Sequence, residues 1–291
     1  MPATDVAIDE VLEAEEHAEE AEAAESTEVD ESMEDPSLAA AAGAGPAHQI
    51  EEDEGAVVAM PDEEMPSLAG GLGLVNINNI LGVPLFYERG SNPGPRQFPV
   101  ASSLRPILEA IVKQVQERAP AGFGRLQRIS SAGMFVQKPG AHGQGRACDW
   151  DRLVFANLKI SPIEHQHESP SLAKRMRYWA FGAICRSNCA FVLHGLYNAA
   201  HGDHYHTDNF TGVAFNRQSE ATVKLLQAIL NDIHRHTPRL DTDGDYGQES
   251  RTAFGQAMEQ LQLTGSIDDV EVWRKFLRRS ARLGFVQSMN A

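Results

Sequence analysis

No lysine or arginine occurs before Arg89, yet the same 88 residues carry 23 aspartates and glutamates. So much unopposed charge with so little apolar surface cannot offset the entropy of ordering the chain, so a packed fold is expected only in the remainder. The residues from Arg89 onward hold the other 18 of the 41 acids and all 25 basic side chains, so the net charge of −16 divides into −23 and +7. Residues 1–70 are expected to form a disordered acidic tail, suited to a protein partner such as a delivery apparatus or particle. Glu10–Glu25 has helix-forming composition, but its like charges repel one another. The first residues show no basic n-region, continuous apolar core or span of membrane length, so delivery without a signal peptide is expected. A cationic body suits an anionic polymer. Nucleic acid is not expected, because no zinc finger, helix-turn-helix or aromatic-interleaved basic patch is present.

Residues 71–100 combine an apolar island, Leu72–Phe86, with a loop or linker, Gly90–Pro99, that contains three prolines. The island reads either as a strand docking on the body or as a short anchor for a partner. Residues 101–216 read as an α+β unit: a helix over 101–118, strands over 126–137 and 152–160, a helix over 169–185, and short strands at 191–193 and 204–208. That order predicts a small antiparallel sheet with helices on one face and the site on the other. Residues 218–282 read as a three-helix unit, with helices over 221–236, 249–261 and 268–277. Cys148, Cys185 and Cys189 give no disulfide framework. Cys185 and Cys189 can pair only if their helix breaks.

Two runs carry the chemistry. His142-Gly143-Gln144-Gly145-Arg146-Ala147-Cys148-Asp149 reads HxxGxAxD, and His204-Tyr205-His206 reads HxH. Together they supply histidine and carboxylate donors of the kind that hold a catalytic zinc with three protein ligands and one open position. The small residues between His142 and Asp149 are expected where the backbone comes close to the metal. Residues two apart on a strand share a face, so both imidazoles of HxH can reach one ion. Cys148 is read as a packing residue, because the two runs already complete the set.

The stretch Tyr197–Asp208 with HxxGxAxD resembles the signature of the bacterial extensin-like C-terminal domain, which belongs with the D-Ala-D-Ala carboxypeptidase and lysostaphin type metallopeptidases. The resemblance covers roughly residues 97–216. It implies that His142, Asp149 and His206 bind one Zn2+ per chain and that the substrate is peptidoglycan peptide, cut by carboxypeptidase or endopeptidase action. Where family members tend to carry a Ser-Tyr-Ser-Cys-Arg-like run, this chain has Ser131-Ala132-Gly133-Met134-Phe135. Two groups qualify as general base: Asp203, three residues before the last ligand, and His204. If residues 203–206 are extended, His204 faces the site and Asp203 points away, orienting His204 or closing the rim. His201 is a candidate support for a ligand, and Arg128 and Gln137 are candidates for binding a substrate carboxylate or oxyanion. The C-terminal unit resembles a three-helix peptidoglycan-binding domain through Val223–Gln227, Asp243-Gly244-Asp245-Tyr246-Gly247, Phe254, Gly265-Ser266-Ile267-Asp268 and Trp273. With no signal peptide, these resemblances imply a phage lysin or an injected effector acting at the wall. The alternative is a non-catalytic wall-binding or structural component of a phage or injection particle.

Three other runs fit rival sites poorly. Asp241-x-Asp243-x-Asp245 opens like a calcium loop but has Tyr246 and Thr252 where such a loop needs Gly and Glu. His165-Gln166-His167 is a second HxH without a partner motif and reads as a loop. His234 and His236 read as imidazoles at a helix C-terminus, where partial positive charge is favourable.

Overall fold

The computed structural model describes residues 73–209 and 212–291, so the expectations for the acidic tail lie outside the described residues. The described chain is α+β, with five helices and a mixed sheet. The apolar island is strand: β1 (Leu74–Ile77), β2 (Asn79–Ile80) and β3 (Val83–Tyr87) are followed by β4 (Gly94–Pro95) and β5 (Phe98–Ala101) within the expected linker. β1 and β5 form a two-stranded antiparallel ladder. The main sheet runs β2-β3-β6-β7-β10-β9, with β6 spanning Leu126–Gly133, β7 Ala147–Phe155, β9 Phe191–Leu193 and β10 Tyr205–Asp208. β4 adds to β3, and β8 (Lys159–Ile160) adds to β7.

The expectation of a purely antiparallel sheet is corrected by one pair. β3 runs parallel to β6, with Leu85 opposite Ile129. The island supplies that strand from upstream of the first helix, α1 (Arg105–Arg118), which gives the chain room to return in the same direction. A second correction concerns β7, which begins at Ala147 and not at Arg152. The motif from Ala147 to Asp149 is therefore strand, and β8 is a separate short element. β6 ends at Gly133, after three register shifts against β7, and leaves Met134–Gln137 as loop.

Helix α2 (Leu172–Asn188) is the hub of the helical layer. It is buried along most of its length, as a helix packed on more than one side must be. Toward the sheet, Phe181 meets Trp150 edge-on at 5.6 Å, and the Tyr205 hydroxyl donates to the Tyr178 carbonyl at 3.0 Å. Gly182 permits this approach: a Cβ there would lie 2.5 Å from the Tyr205 hydroxyl. The helix continues unbroken past Cys185 to Asn188, and Cys185 and Cys189 are both free and buried.

The C-terminal segment contributes α3 (Glu220–Asp232), α4 (Gln248–Gln260) and α5 (Val270–Gln287). α5 extends ten residues beyond the expected end because Ala281, Leu283, Phe285 and Val286 are buried against the rest of the molecule. Gly284 of α5 sits where a Cβ would lie 3.1 Å from Ala180 of α2 and 2.8 Å from Ile233. Trp179 of α2 donates to Asp232 of α3 at 3.0 Å, and Arg175 pairs with the same carboxylate at 3.1 Å. The buried apolar residues form one continuous cluster from Ile77 to Val286, which crosses the expected boundary near residue 217 without interruption.

His234 departs from its expected role as a charged helix-end imidazole. It is held between Gln260 Oε1 (2.6 Å from Nδ1) and Ser280 Oγ (2.8 Å from Nε2), a pair of partners that satisfies the neutral ring. Burial pushes its pKa down to about 4, and burial does the same to His194, also to about 4.

Two predictions follow from this packing. Deleting residues 218–291 strips α3 and α5 from α2, so the remaining chain should lose its cooperative thermal transition, and a sharp melt from the truncated protein would contradict the shared core. The buried histidines give a pH dependence. Below pH 6.5 the unfolded chain takes up protons that the folded chain refuses until about pH 4, so stability should fall as pH drops through that window. Thermal melts between pH 7 and 4 should show this, with a shallower slope in His234→Gln.

Candidate metal centre

The ligand positions follow from two strands and one turn. β7 and β10 pair antiparallel with Asp149 opposite His206 and Trp150 opposite Tyr205. Alternation then sends Trp150 and Tyr205 toward α2, and Asp149 and His206 to the other face. His142 sits in a single 3-10 turn, His142–Gln144, closed by Gly145 at φ +65°. The small Gly145 has a packing role of its own. It packs against the end of β5, where a Cβ would lie 2.9 Å from the Ala101 nitrogen, and its carbonyl accepts from that nitrogen at 2.8 Å. This contact fastens the turn carrying His142 to the N-terminal ladder.

His142, Asp149 and His206 converge as a buried group that can hold a metal ion. His142 Nε2 lies 3.2 Å from Asp149 Oδ1 and 3.1 Å from His206 Nδ1, and His206 Nδ1 lies 3.0 Å from Asp149 Oδ1. A tetrahedral ion with bonds of about 2.0–2.1 Å separates its ligands by about 3.3 Å, close to these spacings. The hydrogens support the fit. His142 Nδ1 is 3.1 Å from the Met134 carbonyl, which takes its proton and leaves Nε2 bare. His206 Nε2 lies 3.7 Å from Asp208 Oδ2, beyond hydrogen-bond reach, and Nδ1 faces Asp149 and His142. Three potential donor atoms thus face one another, an arrangement that a cation or a shared proton would satisfy. In the metal-free protein the proton fills that place. Burial opposes a charge on His206, but its bond to Asp149 and the nearby Asp208 carboxylate outweigh burial and carry its pKa up to about 10. Burial alone would raise Asp149, and the neighbouring His142 and His206 instead hold its carboxyl well below the usual range.

His204 Nε2 stands 3.7 Å from Asp149 Oδ1, beside the triad. The extended geometry expected for 203–206 begins two residues late, because β10 starts at Tyr205 and residues 202–204 form a turn. Asp203 consequently does not point away: its Oδ1 accepts from His204 Nδ1 at 2.8 Å, and its Oδ2 accepts from Arg89 Nη1 at 2.9 Å. The bond from His204, followed by that from Arg89, outweighs partial burial and holds the Asp203 carboxyl well below the usual range. His201 is brought alongside, its ring 5.1 Å from that of His204 and 5.9 Å from that of His206. Its Nδ1 bonds Asn198 Oδ1 at 2.6 Å, and burial together with the adjacent imidazoles pushes its pKa down to about 3.

Arg128 and Gln137 are not brought to the triad. Arg128 pairs with Glu88 at 3.0 Å and lies over Phe86, and Gln137 is exposed on the loop after β6. The residues that sequence reasoning missed are Arg89, Asp151, Asn198 and Asp208. Asp151 carried a usable signal, since it lies two residues after Asp149 and shares its face of β7.

The rival runs find other roles. His167 is buried against Tyr178, with ring centroids 5.4 Å apart. Asp243 Oδ1 caps its own turn, accepting from the Asp245 nitrogen at 2.9 Å and from Gln227 at 2.7 Å. Cys148 is fully buried, with Sγ 3.9 Å from Ser131 Oγ. No described helix is long and apolar enough to cross a membrane. No family model matches this chain, nor does any curated protein or solved structure.

The triad predicts that the protein takes up one divalent ion per chain, and that Asp149→Asn or His206→Ala lowers the affinity by at least about 100-fold. Titration calorimetry checks this, and a variant with unchanged affinity would place the ion elsewhere.

Proposed function

We propose that the chain is a zinc-dependent peptidase acting on peptidoglycan, of D,D-carboxypeptidase or endopeptidase type. The observation that supports this reading best is the buried His142, Asp149 and His206 set with His204 alongside, at the spacing of HxxGxAxD and HxH. Two imidazoles and a carboxylate with room for a fourth ligand are the donor set of hydrolytic zinc sites. When bound, zinc would supply Lewis-acid polarisation of the scissile carbonyl and acidify the attacking water.

The chain's own groups account for the proton traffic. His204 holds its Nδ1 proton against Asp203, so its Nε2 is the atom free to take the proton of the attacking water and pass it to the leaving amine. Asp203 orients His204 and balances its positive charge after that transfer. On this reading His204 is the acid/base and Asp203 its orienting partner. The buried rings of His201 and His206 limit water on the inner side of the site. Residues 218–282, by their resemblance to a wall-binding module, fit attachment to the same polymer. Delivery to the wall as a phage lysin or an injected effector completes the reading, with the acidic residues 1–70 available to a delivery partner.

The test is digestion of purified sacculi by zinc-loaded protein, with fragments identified by mass spectrometry and His206→Ala as control. Released peptides that vanish in the variant are expected, and their masses name the bond. Sacculus binding without any cleavage by a zinc-loaded sample would overturn the peptidase reading in favour of a non-catalytic wall-binding component.

A further inference from the structure

Arg89 is the first basic residue of the chain, and it leaves β3 to reach two carboxylates that are distant in sequence. Its Nε and Nη2 donate to the two oxygens of Asp151 at 2.9 and 2.6 Å. Its Nη1 donates to Asp203 Oδ2 at 2.9 Å, and Nη2 also reaches the Asp203 carbonyl at 3.3 Å. Asp151 is fully buried on β7, on the same face as Asp149, whereas the Asp203 side chain is 38% exposed on an irregular turn. The guanidinium therefore ties a partly exposed carboxylate on a turn to a buried one on a strand, using the planar fork that lysine lacks. Asp203 divides its oxygens, Oδ2 to Arg89 and Oδ1 to His204 Nδ1.

We propose that Arg89 is a positioning residue that, anchored on Asp151, fixes the Asp203 carboxylate so that His204 keeps its proton on Nδ1 and presents a bare Nε2 to the metal centre. Its consequence for turnover rests on the peptidase reading above, but the tautomer of His204 does not. Without the guanidinium, Asp203 is free to rotate into solvent, and His204 loses the acceptor that selects its tautomer. The contacts also make the N-terminal strands part of the site, since Arg89 follows β3 directly.

The experiment compares the zinc-loaded full chain with Arg89→Gln, Arg89→Lys and the double variant Arg89→Gln/Asp151→Asn. The double variant matters because Arg89→Gln alone strands Asp151 as a buried unpaired carboxylate, whereas removing both charges leaves no such group. Imidazole nitrogens are read by 15N NMR, with the His204 signals assigned by their loss in His204→Gln, and zinc content and thermal melts monitor the fold. The wild type should show His204 as a single Nδ1-H tautomer. The double variant should show mixed tautomers with zinc retained, and Arg89→Lys should fall between. On a soluble cross-linked muropeptide the same variants should lose about 10- to 100-fold in kcat with KM little changed. An unaltered Nδ1-H tautomer in a folded, zinc-loaded double variant overturns the proposal, as does turnover within about twofold of an active wild type. A wild type that cleaves nothing overturns the peptidase reading, and the tautomer comparison still decides the role of Arg89.

Discussion

The antiparallel register that sets Asp149 opposite His206 is the constraint on which the rest of the site depends. The same pleat that aims these donors at one point sends Trp150, Tyr205 and Thr207 into the helical layer. There Trp150 Nε1 donates to Thr207 Oγ1 at 3.0 Å, and Thr207 Oγ1 donates to the Cys148 carbonyl at 3.1 Å. A slip by one residue would bury the donors under α2 and expose the two large rings. The apolar core therefore guards the ligand geometry, because a one-residue slip sacrifices both at once. Trp150 and Tyr205 are fully buried, and burial of such side chains is worth roughly 1.5–3 kcal/mol each.

Four carboxylates crowd the polar face: Asp149, Asp151, Asp203 and Asp208. In a partly desolvated setting each needs a partner, and the structure assigns them in pairs. Arg89 takes Asp151 and one oxygen of Asp203, His204 takes the other oxygen of Asp203, and His206 lies between Asp149 and Asp208. Arg89 is the fixed positive charge between Asp151 and Asp203. Asp149 and Asp208 favour a proton on His206, and a divalent cation would supply positive charge at the same place. Selection for a cation is thus a property of the whole polar face and not of three ligands alone.

The donors and their neighbours were legible because ligand chemistry is written locally: HxxGxAxD and HxH name the residues whatever the fold around them. The α+β class was legible from periodicity, as was the placing of helices and site on opposite faces. Arg89 was not, since it stands beside a proline- and glycine-rich run that reads as a linker, and its partners lie 62 and 114 residues away. The parallel pairing of β3 with β6 was hidden for the same reason, because register between remote strands is a tertiary property. Arg128 was misplaced by trusting nearness in sequence to the first ligand, when its own strand aims it at Glu88. The late start of β10 shows the limit of strand geometry as an argument: one turn at residues 202–204 converts Asp203 from a group facing away into the acceptor of His204.

Sequence also suggested that the working unit begins near residue 101, and the packing argues for an earlier origin. Gly145, which closes the turn bearing His142, is bonded to Ala101 at the end of β5. Arg89, which holds Asp203 and Asp151, follows β3. His142 and Asp203 are therefore both fastened to strands that precede α1. At the other end, α2 presses one side on Tyr205 and carries α5 on another through Gly284 and Ala180, so support for β10 passes through the C-terminal helices as well. A site assembled this way draws its rigidity from three segments that are far apart in the chain. Each holds a different part: the N-terminal strands fix the His142 turn and Asp203, β7 with β10 fixes Asp149 and His206, and the helices fix the register of that pair. The metal centre can then be precise while standing on a loop and a turn, because neither is left to hold its own conformation.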